Sequence, residues 1–311
     1  MNELRWNPLL GEWVVIASRR HGRPILKSEC PFCPGSPEVT GDWVVRTLAN
    51  RFPALSENPP CVESGDGVYK KAGAFGRCEI LLETREHDLD LADLDEGNFL
   101  ELMRLYRERY LELGRLEGID YVFIFRNKGD VIGVSLHHPH GQVYGLPFIP
   151  PVMERKLRAS ADYMEANGRC LQCDILEREI GGPRSVCENG SFLCHVPFAP
   201  RFPYETAIVA KRHVESLGGM DDDELNSLGV ILRKVLKKYN GLFGFSLPYV
   251  MALYNSPTDG PAYPHHHFHL EILPRHRSRE NIKYLAGSEL GSGVFINDGP
   301  PEERAKELRD L

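Results

Sequence analysis

The run His138-Pro139-His140-Gly141-Gln142 is the part of this 311-residue chain best equipped for covalent chemistry. Alternate side chains of an extended strand share a face, so His138, His140 and Gln142 are expected side by side. A neutral imidazole is abundant near pH 7 and can attack phosphorus. The product is a covalent phosphoramidate, which splits one group transfer into two easier steps. The residues just upstream suit a phosphate. Gly129, Gly133 and Gly141 permit close backbone approach. Ser135 and neighbouring backbone N–H groups can donate to phosphate oxygens. In this reading His140 is the nucleophile and His138 binds a metal that anchors the strand and aims its neighbour. His137 is left without a role and is expected to be exposed or hydrogen-bonded.

Two further sets of residues carry metal-ligand chemistry. Cys30 and Cys33 form a Cys-x-x-Cys pair, followed by His87 and then His138. Cys170 and Cys173 form a second pair, followed by His213 and then His267. Closed zinc sites are tetrahedral and take Cys and His. Two sets in the same order are a far stronger signal than one Cys-x-x-Cys, which alone could be a redox pair. The first set reads as zinc; the second suits zinc or iron, since ligand type does not specify the metal. Cys61, Cys78, Cys187 and Cys194 lack such partners and read as small buried residues.

These residues must be positioned by a repeated framework. In each half a cysteine pair is followed by a strand, an acidic turn, a helix, a second strand ending in Asn, and a His-x-His segment. The first half places its strands at 78–83 and 121–126, with a helix at 96–116. The second half places strands at 205–210 and 249–254, with a helix at 223–239. Phe99, Leu102, Met103, Tyr106 and Tyr110 recur at helical spacing, as do Leu225, Leu228, Leu232, Val235 and Tyr239. Asp221 and Asp222 suit a helix N-terminus. The expected fold class is α+β, two tandem halves (1–150 and 151–311) with antiparallel sheets flanked by helices. A connector plus helix is expected at 150–167, and turns at 181–183 and 299–301. His269 repeats the position of His140 without Gly-Gln after it, which predicts a degenerate second site.

Composition narrows the function classes. The hydrophobic share of 42% and charged share of 26% are those of a globular protein. A formal net charge of −7 offers no general attraction to nucleic acid. No apolar run nears the roughly 18 residues that span a membrane. A chain without a signal-like start reads as cytoplasmic.

The Asn127-Lys128-Gly129, Gly133-x-Ser135 and His138-Pro139-His140-Gly141-Gln142 elements together resemble those of galactose-1-phosphate uridylyltransferases, a branch of the histidine triad superfamily. The resemblance runs from Asn7-Pro8 to the C-terminal region. It implies two histidine-triad-like halves and an active site shared across a homodimer. It implies a ping-pong transfer of UMP from UDP-glucose to galactose 1-phosphate through uridylyl-His140, with Gln142 holding the phosphoryl group. Asn127, Gly133 and Ser135 match phosphate-loop positions. Arg20, Arg23 and Lys128 would balance phosphate charge, as the Arg fork suits phosphate oxygens. Asn50 and Phe52 match the nucleoside pocket, while Arg51 stands where many members have an acid that contacts the ribose. Lys283 and Glu289 match a hexose-binding segment. An ADP-sugar phosphorylase or adenylyltransferase of the same superfamily is the alternative. A non-catalytic, zinc-binding nucleotide-binding protein is the alternative from another class.

Overall fold

The computed structural model describes residues 2–18, 30–134 and 136–311. The first half contains β1 (Asn2–Asn7), β2 (Glu12–Ala17), β3 (Arg46–Ala49), β4 (Lys71–Gly73) and β5 (Arg77–Leu82). Helix α1 (Glu96–Leu113), β6 (Tyr121–Lys128) and β7 (His140–Leu146) complete it. Two helices, α2 (Pro151–Asn167) and α3 (Leu171–Glu179), lead to β8 (Ser185–Glu188), β9 (Phe192–His195) and β10 (Thr206–Ala210). Then come α4 (Asp222–Phe243), β11 (Tyr249–Tyr254), β12 (His269–Pro274) and α5 (Pro301–Arg309).

Local sequence explains the two long helices. Asp95 caps α1 by accepting from the Asn98 N–H, and α4 opens with a reciprocal capping box between Asp221 and Glu224. Such caps satisfy backbone donors that the helix itself leaves orphaned. Gly114 ends α1 just short of the expected boundary. Helix α4 outruns its expected end until Gly244, whose φ of 72° terminates it. Helix α3 was not expected; it begins right after Cys170. Pro301, read as part of a turn, instead opens α5, where its missing N–H costs nothing.

The strands form a nine-stranded antiparallel sheet in the order β3-β5-β7-β6-β11-β12-β10-β9-β8. A separate three-stranded sheet has the order β2-β1-β4. The order β5-β7-β6 in one half is mirrored as β11-β12-β10 in the other, so the halves are related by an approximate two-fold at the β6–β11 seam. The strands of the two halves form one sheet because β6 and β11 pair directly, with Phe125 opposite Ala252. This pairing removes two edges that would otherwise be exposed. Gly129 marks the closeness of the seam: a Cβ there would sit 2.7 Å from a Pro248 carbon. Helices α1 and α4 pack together over one face. The main core lies beneath them, with Phe99, Leu102, Tyr106, Leu228, Leu232, Val235, Val143 and Leu270 in one buried cluster. The His-x-His segments open β7 and β12, near the middle of the sheet. No described helix is long and apolar enough to cross a membrane.

Candidate active site and metal centres

His140 is the first residue of β7 and lies opposite Leu82 of β5. Its ring Nδ1 meets the His138 carbonyl at 2.8 Å. A carbonyl only accepts, so Nδ1 carries the proton and Nε2 keeps its lone pair. The side chain is 9% exposed. Burial lowers its pKa, although the bond to His138 and the charge of Glu83 pull the other way. The net result is a neutral ring at pH 7, the nucleophilic form. Phe32 stands edge-on to both His138 and His140, with ring centroids 6.2 and 5.3 Å away, so the two imidazoles share a face as the alternation predicts. Gln142 follows on β7, where its carbonyl oxygen accepts from the Tyr144 hydroxyl at 3.3 Å.

Gly141 points to the opposite face. A Cβ there would lie 3.2 Å from the Tyr106 hydroxyl and 3.3 Å from Glu83 Oε1. The glycine was expected to admit a phosphate; the structure shows it making room for a buried polar group. That group was not singled out from sequence. Arg126 Nε donates to Glu83 Oε2 at 2.7 Å, Tyr106 donates to Oε1 at 2.9 Å, and Arg126 also donates to the Tyr249 hydroxyl at 3.0 Å. Its available signal was an acid and a base, Glu83 and Arg126, each directly following an apolar run, residues 80–82 and 121–125.

Both expected metal sets assemble. Cys30, Cys33, His87 and His138 bring their donor atoms within 4.8 Å of one another, as do Cys170, Cys173, His213 and His267. Tetrahedral zinc with ordinary bonds would set S···N separations of about 3.6 Å. Cys33 Sγ lies 3.4 Å from His87 Nδ1 and 3.8 Å from His138 Nδ1. In the second set, Cys173 Sγ lies 3.6 Å from His213 Nδ1 and 3.5 Å from His267 Nδ1. The donors fit the ion. The far nitrogens are anchored too, His138 Nε2 on the Thr84 carbonyl at 2.8 Å and His267 Nε2 on the Ala210 carbonyl at 2.7 Å. These bonds aim Nδ1 of each ring at the centre. Burial and Cys30 push the Cys33 thiol up to about 11, and burial and Cys170 push Cys173 up to about 12, so metal binding must displace protons.

Other expected residues fall out differently. Lys128 was expected on phosphate. Instead its ammonium pairs with Asp90 at 2.7 Å and stands over the Tyr249 ring. Asn240 and Ser246 also donate to Asp90, so Lys128 is part of a tie between the halves. Asn127 is the next-to-last residue of β6, opposite Val250. Gly133 adopts φ +85° with open space around it. Asn50 folds its own loop, its carbonyl oxygen accepting from the Phe52 N–H at 2.9 Å. Arg51 leans on Glu38 at 2.6 Å. Lys283 and Glu289 were expected to hold sugar hydroxyls. Lys283 is fully buried, bonded to Glu289 at 2.8 Å and to the Ile296 carbonyl, so the pair shapes its own segment. His137 is exposed as expected, but so is Cys61, which was expected to be buried. Arg20, Arg23 and Ser135 lie outside the described residues.

The second half repeats the backbone device. His269 Nδ1 meets the His267 carbonyl at 2.9 Å. Its Nε2, however, accepts from the Lys156 ammonium at 2.7 Å, and Lys156 also donates to Glu271 at 2.5 Å. Tyr254 stacks on the ring at 4.8 Å. Glu271 and Leu270 occupy the places of Gln142 and Gly141.

Comparison with known proteins agrees with this geometry. A family model described as "Galactose-1-phosphate uridyl transferase, N-terminal domain" matches residues 1–150, and its C-terminal counterpart matches 156–311. A galactose-1-phosphate uridylyltransferase of Thermotoga maritima is 37% identical over 100% of this chain and 98% of its own. A solved structure described as "Structure of uridylyltransferase" superposes with a TM-score of 0.92 at 36% identity, covering 99% of this chain and 97% of that one. An ADP-glucose phosphorylase from Arabidopsis thaliana, solved with bound ADP-glucose, gives a TM-score of 0.80 at 27% identity, covering 100% and 99%.

Proposed function

The chain belongs to the galactose-1-phosphate uridylyltransferase family of nucleotidyltransferases, and from that premise we propose that it moves UMP between sugar phosphates by way of His140. The observation that carries this reading is the His140 ring, held by the His138 carbonyl with Nε2 as its lone-pair nitrogen. Nε2 attacks the α-phosphorus of UDP-glucose. The Nε2–P bond forms while the P–O bond to glucose 1-phosphate breaks, the electron pair leaving with that phosphate. A phosphate oxygen of galactose 1-phosphate then attacks the phosphorus of uridylyl-His140; the new P–O bond forms as the Nε2–P bond breaks, its electron pair returns to the imidazole, and UDP-galactose departs. Gln142 steadies the phosphoryl group, and Arg20, Arg23 and Ser135 receive phosphate oxygens. Asn50 and Phe52 line the nucleoside side, with Asn127 and Gly133 at the phosphate loop.

Zinc suits the donors of the first set, and zinc or iron those of the second; when bound at Cys30, Cys33, His87 and His138 it supplies a rigid anchor for the nucleophile's strand. The Lys283–Glu289 pair holds the shape of residues 284–296, whose exposed Tyr284, Leu290, Val294 and Ile296 suit contact with a second copy in a homodimer.

A second reading is favoured by the full-length match to the Arabidopsis protein and by Arg51, a departure at the ribose side. There the same nucleophile would take AMP from ADP-glucose and give it to inorganic phosphate. Initial rates with UDP-glucose plus galactose 1-phosphate and with ADP-glucose plus phosphate separate the two. Faster uridylyl transfer is the expected result, and faster phosphorolysis of ADP-glucose would move the chain to the second reading.

A further inference from the structure

The structure places a buried carboxylate directly behind the nucleophile. Glu83 is fully buried and held from three sides: by Arg126 at 2.7 Å, by the Tyr106 hydroxyl at 2.9 Å, and through its own backbone N–H, which donates to the Pro139 carbonyl at 3.3 Å. Pro139 is the residue between the metal ligand and His140. On the far side of that strand, Glu83 Oε1 comes within 3.3 Å of where a Cβ of residue 141 would be. Arg126 is in turn gripped by Tyr249 of the second half. Glu83 therefore meets the strand on both sides of His140, through its backbone N–H at Pro139 and with its carboxylate behind Gly141.

An ion pair in this place is not what the fold requires. Burying two charges costs more than packing apolar groups of similar size. The second half builds the same strand pair without it. Val209 and Ala210 stand at the corresponding end of β10, Leu253, paired with Leu270, takes the place of Arg126, and Leu270 fills the space that Gly141 leaves. The half with the reactive histidine has the carboxylate and the glycine; the half with the blocked histidine has neither.

We propose that Glu83 is a positioning residue for nucleotidyl transfer, its buried carboxylate holding the strand around His140 and favouring the cationic ring that forms when Nε2 is nucleotidylated. The inference rests on His140 being the nucleophile. When Nε2 bonds to phosphorus and the sugar phosphate leaves with its electron pair, the ring keeps its Nδ1 proton and gains a positive charge. The preorganised Glu83 carboxylate favours that state and the Arg126 guanidinium opposes it, and neither has to reorganise at the moment of reaction. Arg126 and Tyr106 orient the carboxylate.

The test is single-turnover formation of nucleotidyl-His140 from UDP-glucose, with metal content and thermal midpoint measured alongside. Glu83→Gln keeps the shape and removes the charge; the expected result is adduct formation slowed at least about tenfold, with KM for UDP-glucose little changed and metal retained. Because Arg126 is then left unpaired, the double variant Glu83→Leu/Arg126→Met provides the second arm. It is expected to regain the thermal midpoint and not the rate. Wild-type rates in Glu83→Gln, or recovery of rate together with stability in the double variant, would show the pair to be structural only and overturn the proposal. Absence of any adduct on the wild-type protein would instead overturn the transfer reading, and this inference with it.

Discussion

His140 and His269 occupy equivalent strands and share almost everything that a backbone can give. Each follows a metal-ligand histidine by two residues, and each ring is held through Nδ1 by that ligand's carbonyl, at 2.8 and 2.9 Å. The difference lies at Nε2. In the first half it is the lone-pair nitrogen of a nucleophile flanked by Gly141 and Gln142. In the second it accepts from Lys156, which Glu271 holds in place. Scaffold and metal ligands decide where a histidine sits; the residues around Nε2 and behind the strand decide whether it reacts. On the proposed reading, one duplicated frame carries one reactive and one blocked site.

The largest effect expected from this contrast is at the two histidines. His140→Ala should reduce transfer to background with the fold intact, whereas His269→Ala should keep transfer within a fewfold while lowering stability by about 1–3 kcal/mol, since Lys156 loses a buried partner. Initial rates and thermal midpoints on both variants check this. Equal loss of transfer in both would break the comparison.

The metal sets come next. Cys33→Ser should lose metal and most transfer, because His138 no longer anchors the strand. Cys173→Ser should lose metal and stability but retain transfer per folded molecule. Metal analysis and rates normalised to folded protein would decide; loss of transfer in both variants would mean that the second centre also positions His140.

A finer cut is at the residue after each histidine. Gly141→Ala must push its Cβ toward Tyr106 and Glu83, and a drop in kcat of roughly tenfold or more is expected from misplacing the nucleophile. Leu270→Ala empties buried volume instead and should cost about 2–5 kcal/mol with the rate kept.

The smallest effect is a pH dependence confined to the second half. Burial, with Glu271 adding to it, raises the Glu205 carboxyl from its ordinary 4.5 to about 7. A carboxyl with a raised folded pKa stabilises the fold fully below its unfolded value and loses that contribution as pH rises through the folded value. Relative to Glu205→Gln, the wild type should therefore lose about 3 kcal/mol between pH 4.5 and above 7. A difference in thermal midpoint that stays flat across this window would contradict the assignment.

The motif-bearing residues were legible because their chemistry is local. Cysteine pairs, His-x-His and helical periodicity each report on a few neighbouring positions, and the eight Cys and His residues read from type and order gather into two groups that could hold a metal ion. What stayed hidden depends on tertiary partners. Lys128 reads as a phosphate ligand until Asp90, thirty-eight residues earlier, is seen to hold it. Lys283 reads as a sugar ligand until Glu289 and the Ile296 carbonyl are seen to enclose it. Gly141 reads as a phosphate glycine until Tyr106 and Glu83 appear behind it. The fusion of two sheets into one was equally invisible, since the β6–β11 pairing joins residues more than a hundred positions apart in the chain.

The most direct test of the account is to incubate the protein with UDP-glucose, record its intact mass, and map the modified residue. A single uridylyl increment on His140, discharged by galactose 1-phosphate, is the predicted result. An increment on His269, or none at all, would contradict it.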